Sequence, residues 1–195
     1  MLTSVLDFLI RNLLEFLILL LLARFYLQAA KVSFRHPLGQ FVLALTNWVV
    51  LPVRKIIPPI KGYDTTSLMM AWITAFVMHS VLLAITPWPF DFSSGASIVA
   101  LVLTATLELI KMSLYLLFAA VIGQALMSWL SPYNPLMPTL TGLTAPFLRP
   151  IQKIIPPIGG VDISPLLLIL VIQLILNVVI AQLEPMILQS VRMIG

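Results

Sequence analysis

The chemistry open to this chain rests on a few polar side chains set in hydrocarbon, and they fall into two groups. The first group is duplicated. Lys55-Ile56-Ile57-Pro58-Pro59-Ile60 recurs letter for letter as Lys153-Ile154-Ile155-Pro156-Pro157-Ile158. Arg54 precedes the first copy, and Arg149 stands four residues before the second. Each copy runs on through a glycine (Gly62, Gly160) to an aspartate (Asp64, Asp162). Paired prolines forbid helix continuation and push the preceding isoleucine to an extended conformation. The Gly-x-Asp-x-Thr/Ser run that follows supplies a joint, then carboxylate and hydroxyl groups able to accept from the free N–H groups of a new helix. The motif therefore reads as helix stop, turn, helix start. The same cations also suit contact with anionic headgroups or a cytosolic partner, and both readings stay open.

The second group, Arg24, His79, Gln173 and Asn177, lies inside long apolar runs. A charge there is costly and is suspected of function unless it snorkels to the headgroups, and Arg24 is open to both readings. His79 and Asn177 occupy equivalent positions of the repeat, so they are expected at matching depth in neighbouring helices. They would serve either as interhelical hydrogen-bonding groups or as a polar pathway for an ion or proton.

No enzyme constellation accompanies these residues. GxSxG, HExxH and a phosphate-cradling glycine loop with lysine are all absent, and the acid–base candidates are scattered carboxylates and two distant histidines. With no cysteine, disulfides, thiolate metal sites and cysteine nucleophiles are excluded together. The expectation is a protein that is not an enzyme, with no cofactor, no metal and no direct nucleic-acid contact.

The elements that hold these side chains follow from composition and periodicity. At 61% hydrophobic and 9% charged, the chain is far from a soluble domain, where about 25% of residues are charged. Mean hydropathy is +1.09, and the reading is an integral membrane protein. An offset of 98 positions (Lys55 against Lys153) also superposes Pro37-Leu38 on Pro135-Leu136, Leu45-Thr46 on Leu143-Thr144 and Pro52 on Pro150. Two copies of one unit result, residues 1–97 and 98–195.

Each copy is expected to contain a transmembrane helix, an interfacial amphipathic helix and a second transmembrane helix, giving an all-α protein with four spans. The first span covers 5–29, with Asp7 and Glu15 arguing against a cleaved signal peptide and Arg11 paired to Glu15. In 38–57, Gln40, Asn47 and Arg54 recur every seven residues and line one face, with Phe41, Leu45, Trp48 and Pro52 on the others. Its counterpart, 134–157, is too rich in proline for a straight lipid-exposed helix. The second span is 67–87. The third apolar run, 98–129, exceeds a bilayer's need, so the turns up to the Glu108/Lys111 pair are expected to project from the membrane or tilt within it. The fourth span starts at Pro165, with Ser164 as its cap, and runs to Glu184-Pro185.

Two spans per copy put both repeat loops on one side, which then holds Lys31, Arg35, Arg54, Lys55, Lys61, Arg149 and Lys153. The positive-inside rule makes that side cytoplasmic and leaves both termini outside.

These motifs resemble the YggT (YlmG-like) family in its two-copy proteobacterial form. The resemblance rests on Leu22-Ala23-Arg24, Pro37, Gln40-Phe41, Pro52-Val53-Arg54-Lys55, Ile57-Pro58 and Asp64 in the first copy. In the second it rests on Met127-Ser128-Trp129, Pro135, the run Pro146 to Ile151, Pro156, Gly159-Gly160, Asp162 and Ser164-Pro165. Gln152 stands where the family commonly has arginine, and Trp48 where it has proline. The resemblance implies a bacterial inner-membrane protein without known catalytic residues, with relatives linked to cell division, membrane-complex organisation and osmotic tolerance. Two functions follow as expectations. One is a scaffold or assembly factor engaging membrane lipids, anionic ones among them, or an unidentified membrane or cytosolic protein. The other is a small ion or solute pathway contributing to osmotic tolerance. A homo-oligomer is compatible with either.

Overall fold

The computed structural model describes residues 2–60, 62–85, 92, 94–131, 133–155 and 162–192, the side chains of residues 2 and 188–192 excepted. Pro156, Pro157, Gly160 and Lys61 lie outside the described residues. The described chain is all-helical, without a strand. Its helices are α1 (Leu2–Ala29), α2 (Pro37–Arg54), α3 (Thr65–Ile85), α4 (Gly95–Leu130) and α5 (Met137–Ile154), then α6 (Ser164–Leu174), which continues through a π-helical segment (Ile175–Ile180) into α7 (Ala181–Arg192).

Local chemistry explains the boundaries of α2 and α3. Pro37 sits at the first position of α2, and the His36 side chain caps it by accepting from the Gly39 N–H through Nδ1 at 3.1 Å. Gly39 is required there, because a Cβ would lie 2.7 Å from the Phe34 Cα. After α2 the chain folds back on α3. Thr66 Oγ1 donates to the Ile57 carbonyl at 2.7 Å and Thr65 Oγ1 to the Pro58 carbonyl at 3.4 Å, so carbonyls freed by the proline stop find partners. Gly62 turns the chain with a φ of 82°.

In the second repeat Ser164 is the first residue of α6 rather than its cap, and the Asp162 carboxylate accepts from its N–H at 2.9 Å. The aspartate reaches this donor from two residues upstream, which an N-terminal serine side chain at the first helical position cannot do.

Within the first repeat α1 packs most extensively on α3. Ile18, Leu21 and Leu22 meet Ala71, Ala75, Met78 and Leu82, joined by Val50 of α2 and by Ala105 and Met112 of α4. The three alanines allow close helix approach. The second repeat has a smaller core of Val121, Leu148, Leu168, Ile172 and Leu176. Val32 and Phe34, between α1 and α2, and Leu143 of α5 pack against a third cluster formed by Leu20, Ala23 and Leu27 of α1 with Val42 of α2.

Three helical stretches are long and apolar enough to cross a membrane: Thr65–Ile85, Gly95–Ser128 and Ser164–Ile187. Their outer faces carry exposed Ile73, Val77, Leu103, Ile110, Leu170 and Leu174, a surface consistent with a membrane protein. The four-span arrangement expected from the sequence also needs α1, a 28-residue helix that carries Asp7, Arg11, Glu15 and Arg24 and is not among the three.

Candidate functional site

The most densely connected polar group among the described residues is the Asp64 carboxylate, 2% exposed at the head of α3. Arg24 reaches it from α1, with Nε 3.3 Å from Oδ2, and Arg54 from the end of α2, with Nη2 3.1 Å from Oδ1. Ser67 Oγ donates to Oδ2 at 2.8 Å, and the Ser67 N–H lies 3.4 Å from Oδ1. Arg24 Nη1 also donates to Thr46 Oγ1 and Asn47 Oδ1 of α2, both at 2.9 Å. One carboxylate thus ties α1, α2 and α3 together. A guanidinium suits the node because its planar fork offers several fixed donors at once.

Arg24 is only 4% exposed, so it does not snorkel to the headgroups; its donors are taken up by protein acceptors. Of the three polar residues expected on one face of α2, Asn47 and Arg54 turn inward to this node. Gln40 instead donates to the Phe34 carbonyl at 2.9 Å. The outward side of α2 is apolar, with Phe41, Leu45 and an indole at Trp48 that is 69% exposed.

The second repeat rebuilds the node without its cations. Gln152 Nε2 donates to Asp162 Oδ2 at 2.8 Å, in the place of Arg54 against Asp64. Thr144, the counterpart of Thr46, hydrogen-bonds Gln124 Oε1 as Thr46 hydrogen-bonds Arg24. Gln124 escaped the sequence reading because an ungapped repeat matches Arg24 to Ile122. The spacing to the threonine is 22 residues in the first copy and 20 in the second, so two residues are missing from the intervening turn. A search for a polar residue near the end of α4 with a gap allowed would have found it.

Burial raises the Asp162 carboxyl. The bonds from Ser164 and Gln152 outweigh that and hold it below the ordinary carboxylate range. Unlike Asp64, Asp162 is exposed. Lys55, Arg149 and Lys153 are also exposed and form no ion pair among the described residues, whereas Arg54 is spent on Asp64.

A second polar cluster lies deeper. Glu108 of α4 is 2% exposed; its Oε2 is 2.6 Å from Lys111 Nζ and 3.9 Å from His79 Nε2 of α3. Glu15 of α1 and Glu184 of α7 interact electrostatically with Lys111, and Glu15 also with Glu108.

The family model described as CCB3/YggT matches the chain in two stretches, residues 3–85 and 90–183. The uncharacterized protein YggT of Escherichia coli K12 is 33% identical over 174 residues, covering 88% of this chain and 87% of that protein. The chain belongs to the CCB3/YggT family. An uncharacterized protein of Vibrio alginolyticus, described by its place in the proC 3' region, is 34% identical over 169 residues, covering 86% of this chain and 89% of that protein. An uncharacterized protein of Pseudomonas aeruginosa is 30% identical over 171 residues, covering 87% of this chain and 85% of that protein. No solved structure matches.

In this YggT protein the polar residues of the apolar helices pair differently from the sequence expectation. His79 faces Glu108 and not Asn177, because α3 makes no contact with α6 or the π-helical segment among the described residues. Asn177 is exposed and turns back on its own helix, donating to the Gln173 carbonyl at 2.9 Å and to Gln173 Oε1 at 2.8 Å. That side-chain bond competes for a backbone carbonyl, which accounts for the π-helical widening over Ile175–Ile180. Glu108 is buried facing His79 of α3, and Lys111, 14% exposed and one turn further along α4, pairs with it. Arg11 reaches back to Asp7 at 3.8 Å rather than forward to Glu15.

Proposed function

We propose that this YggT protein is a non-enzymatic organising factor of the bacterial inner membrane. It has four spans, α1 included, and holds α2 and α5 at the cytoplasmic surface. There Lys55, Arg149 and Lys153 engage anionic headgroups and, through them, membrane-associated complexes of cell division or membrane homeostasis. The observation that carries this reading is how the cations are spent. Arg24 and Arg54 are consumed by Asp64, while the three others stay exposed and free of ion pairs among the described residues. Beside them α2 turns Phe41, Leu45 and Trp48 outward. An apolar outer face bearing tryptophan, flanked by cations, is the pattern of a helix lying in the headgroup boundary. Two spans per repeat put both loop regions on one side, and the positive-inside rule assigns that basic side to the cytoplasm; the packing of Leu143 of α5 against the cluster that holds Val42 of α2 supports the shared side.

Against the ion-pathway reading, His79 and Asn177 stand on helices that do not touch among the described residues.

Each cation near an anionic surface contributes about 1 kcal/mol, so Lys55→Gln/Arg149→Gln/Lys153→Gln should weaken retention of anionic lipid on the purified protein on the order of 100-fold. Native mass spectrometry from nanodiscs containing phosphatidylglycerol reads this directly. Full retention by the triple variant, with fold and span count unchanged, would overturn the reading.

A further inference from the structure

We infer that the cavity between the two repeats is a binding site for one acyl chain of an anionic phospholipid, whose headgroup rests on Arg149 and Lys153 of α5. The cavity measures about 650 Å³ and is walled by Tyr26 and Ala30 at the end of α1, Leu68 of α3, a stripe of α4, and Leu143 and Phe147 of α5. Both repeats contribute, so the site exists only where they meet. Protein interiors leave few voids larger than a water molecule, and a space of this size calls for an occupant.

The chemistry of the wall selects hydrocarbon. Most of it is leucine, alanine and aromatic carbon, and the hydroxyls on it are spent within the protein. Tyr26 Oη donates to Ser113 Oγ at 3.0 Å, Ser113 Oγ to the Leu109 carbonyl at 2.6 Å, and Thr106 Oγ1 to the Val102 carbonyl at 2.8 Å. A buried water needs roughly two to four polar partners, and this wall leaves it little to bind.

Shape and opening select a chain. On α4 the wall runs from Thr106 to Ala120, about 21 Å at the helical rise, which exceeds the half-thickness of a bilayer's hydrocarbon core. Ile110, half-exposed on this wall, belongs to the membrane-crossing stretch Gly95–Ser128, so the cavity opens sideways to lipid there. Half-exposed Tyr63, just before α3, and Phe147 carry the opening to the level of the repeat loops. A chain can enter from the bilayer and leave its headgroup at that mouth.

Charge identifies the headgroup. Gly142 and Pro146 line the cavity, and Arg149 and Lys153 continue the same stripe of α5 at helical spacing. Both cations are exposed and form no ion pair among the described residues, so a phosphate at the mouth meets them while its chain lies inside. The inference rests on the headgroup contact proposed above for these cations and adds the chain to it.

The test uses full-length protein in nanodiscs that carry phosphatidylglycerol with a photoreactive diazirine in its acyl chain, or phosphatidylcholine with the same chain. Adducts are mapped by peptide mass spectrometry. From phosphatidylglycerol the label should concentrate on the wall, around Ser113 and Leu117, over the open lipid-facing residues Val77 and Leu170. Arg149→Gln/Lys153→Gln should lower the preference of wall labelling for phosphatidylglycerol over phosphatidylcholine on the order of 30-fold. Ala120→Phe, which fills the cavity from its buried wall, should remove the wall label and spare that at Val77 and Leu170. Wild-type label no denser on the wall than at Val77 and Leu170 would overturn the inference whether or not the variants fold, and so would equal wall labelling by the two lipids. If the wall goes unlabelled while loss of Lys55, Arg149 and Lys153 still releases anionic lipid, the cavity site falls and the headgroup reading stands. Retention of anionic lipid by that triple variant, with wall labelling unchanged, would remove the headgroup contact and with it the assignment to an anionic phospholipid.

Discussion

Replacing Asp64 by asparagine should be among the most damaging single substitutions in the chain, and the node explains why. At separations of 3.3 and 3.1 Å, and an effective dielectric of about 20, Asp64 attracts each guanidinium by about 5 kcal/mol. Desolvation of three ions and the mutual repulsion of Arg24 and Arg54 offset most of that sum, so the intact node contributes little net stability. Its failure is another matter. Asp64→Asn leaves Arg24 charged and buried with only neutral acceptors, Thr46 and Asn47 among them, at a cost of about 3–5 kcal/mol. Arg24→Gln leaves a buried carboxylate dependent on half-exposed Arg54, and should cost about as much. Arg24→Gln/Asp64→Asn strands no fully buried charge and leaves only the solvent-reached Arg54 unpaired, so its cost should fall short of the sum by about 2–3 kcal/mol. Asp162→Asn is the internal control, because the exposed counterpart should change stability by no more than about 1 kcal/mol. Reversible unfolding of the purified chain in mixed micelles, followed by tryptophan fluorescence, measures all four. Additive costs for Arg24 and Asp64, or equal costs for Asp64 and Asp162, would refute the assignment of the node as a coupled buried ion pair.

Two further outcomes follow from the same structure. Asp162 has a folded-state pKa below its usual 3.8, so its contribution is fully present above that value and is lost as pH falls through the lower folded value. Stability measured across the acid range should lose that part of its pH dependence in Asp162→Asn; an unchanged profile would detach Ser164 and Gln152 from the carboxylate. Gly39→Ala should cost about 1–3 kcal/mol, because the new methyl meets the Phe34 backbone at 2.7 Å, whereas Gly95→Ala, with nothing within 4 Å, should stay within about 0.5 kcal/mol. Equal thermal stability of the two variants would mean that the turn before α2 is laxer than drawn.

The helices were legible because their signals are local. Apolar runs, the proline stop at Pro58-Pro59 and the Asp64 start are read from neighbouring residues, and the repeat itself from a hexapeptide. What could not be read was which polar groups face each other across helices. Arg24 and Asp64 are 40 residues apart, and His79 and Glu108 sit in different repeats, so periodicity places each on a face but does not rank the faces opposite. The pairing of His79 with Asn177 failed for the same reason. Equal depth in equivalent helices does not bring two helices into contact, and α4 fills the place beside α3.

The two nodes also say something about how a duplicated unit diverges. Each copy keeps the aspartate and the threonine, but Arg24 joins Asp64 to Thr46 in the first, whereas in the second Gln152 bonds Asp162 and Gln124 bonds Thr144 separately. The charge and the bridging bond both differ. Where the aspartate is buried, as at Asp64, two arginines are needed to hold an ionised carboxylate out of water. Where it is exposed, as at Asp162, solvent does that work, and Gln152 holds the carboxylate while Gln124 holds Thr144, neither adding a buried cation. Burial of the aspartate and the charge of its partners are therefore one variable. A glutamine exchanged into the first copy alone should fail for that reason, although the second copy tolerates it.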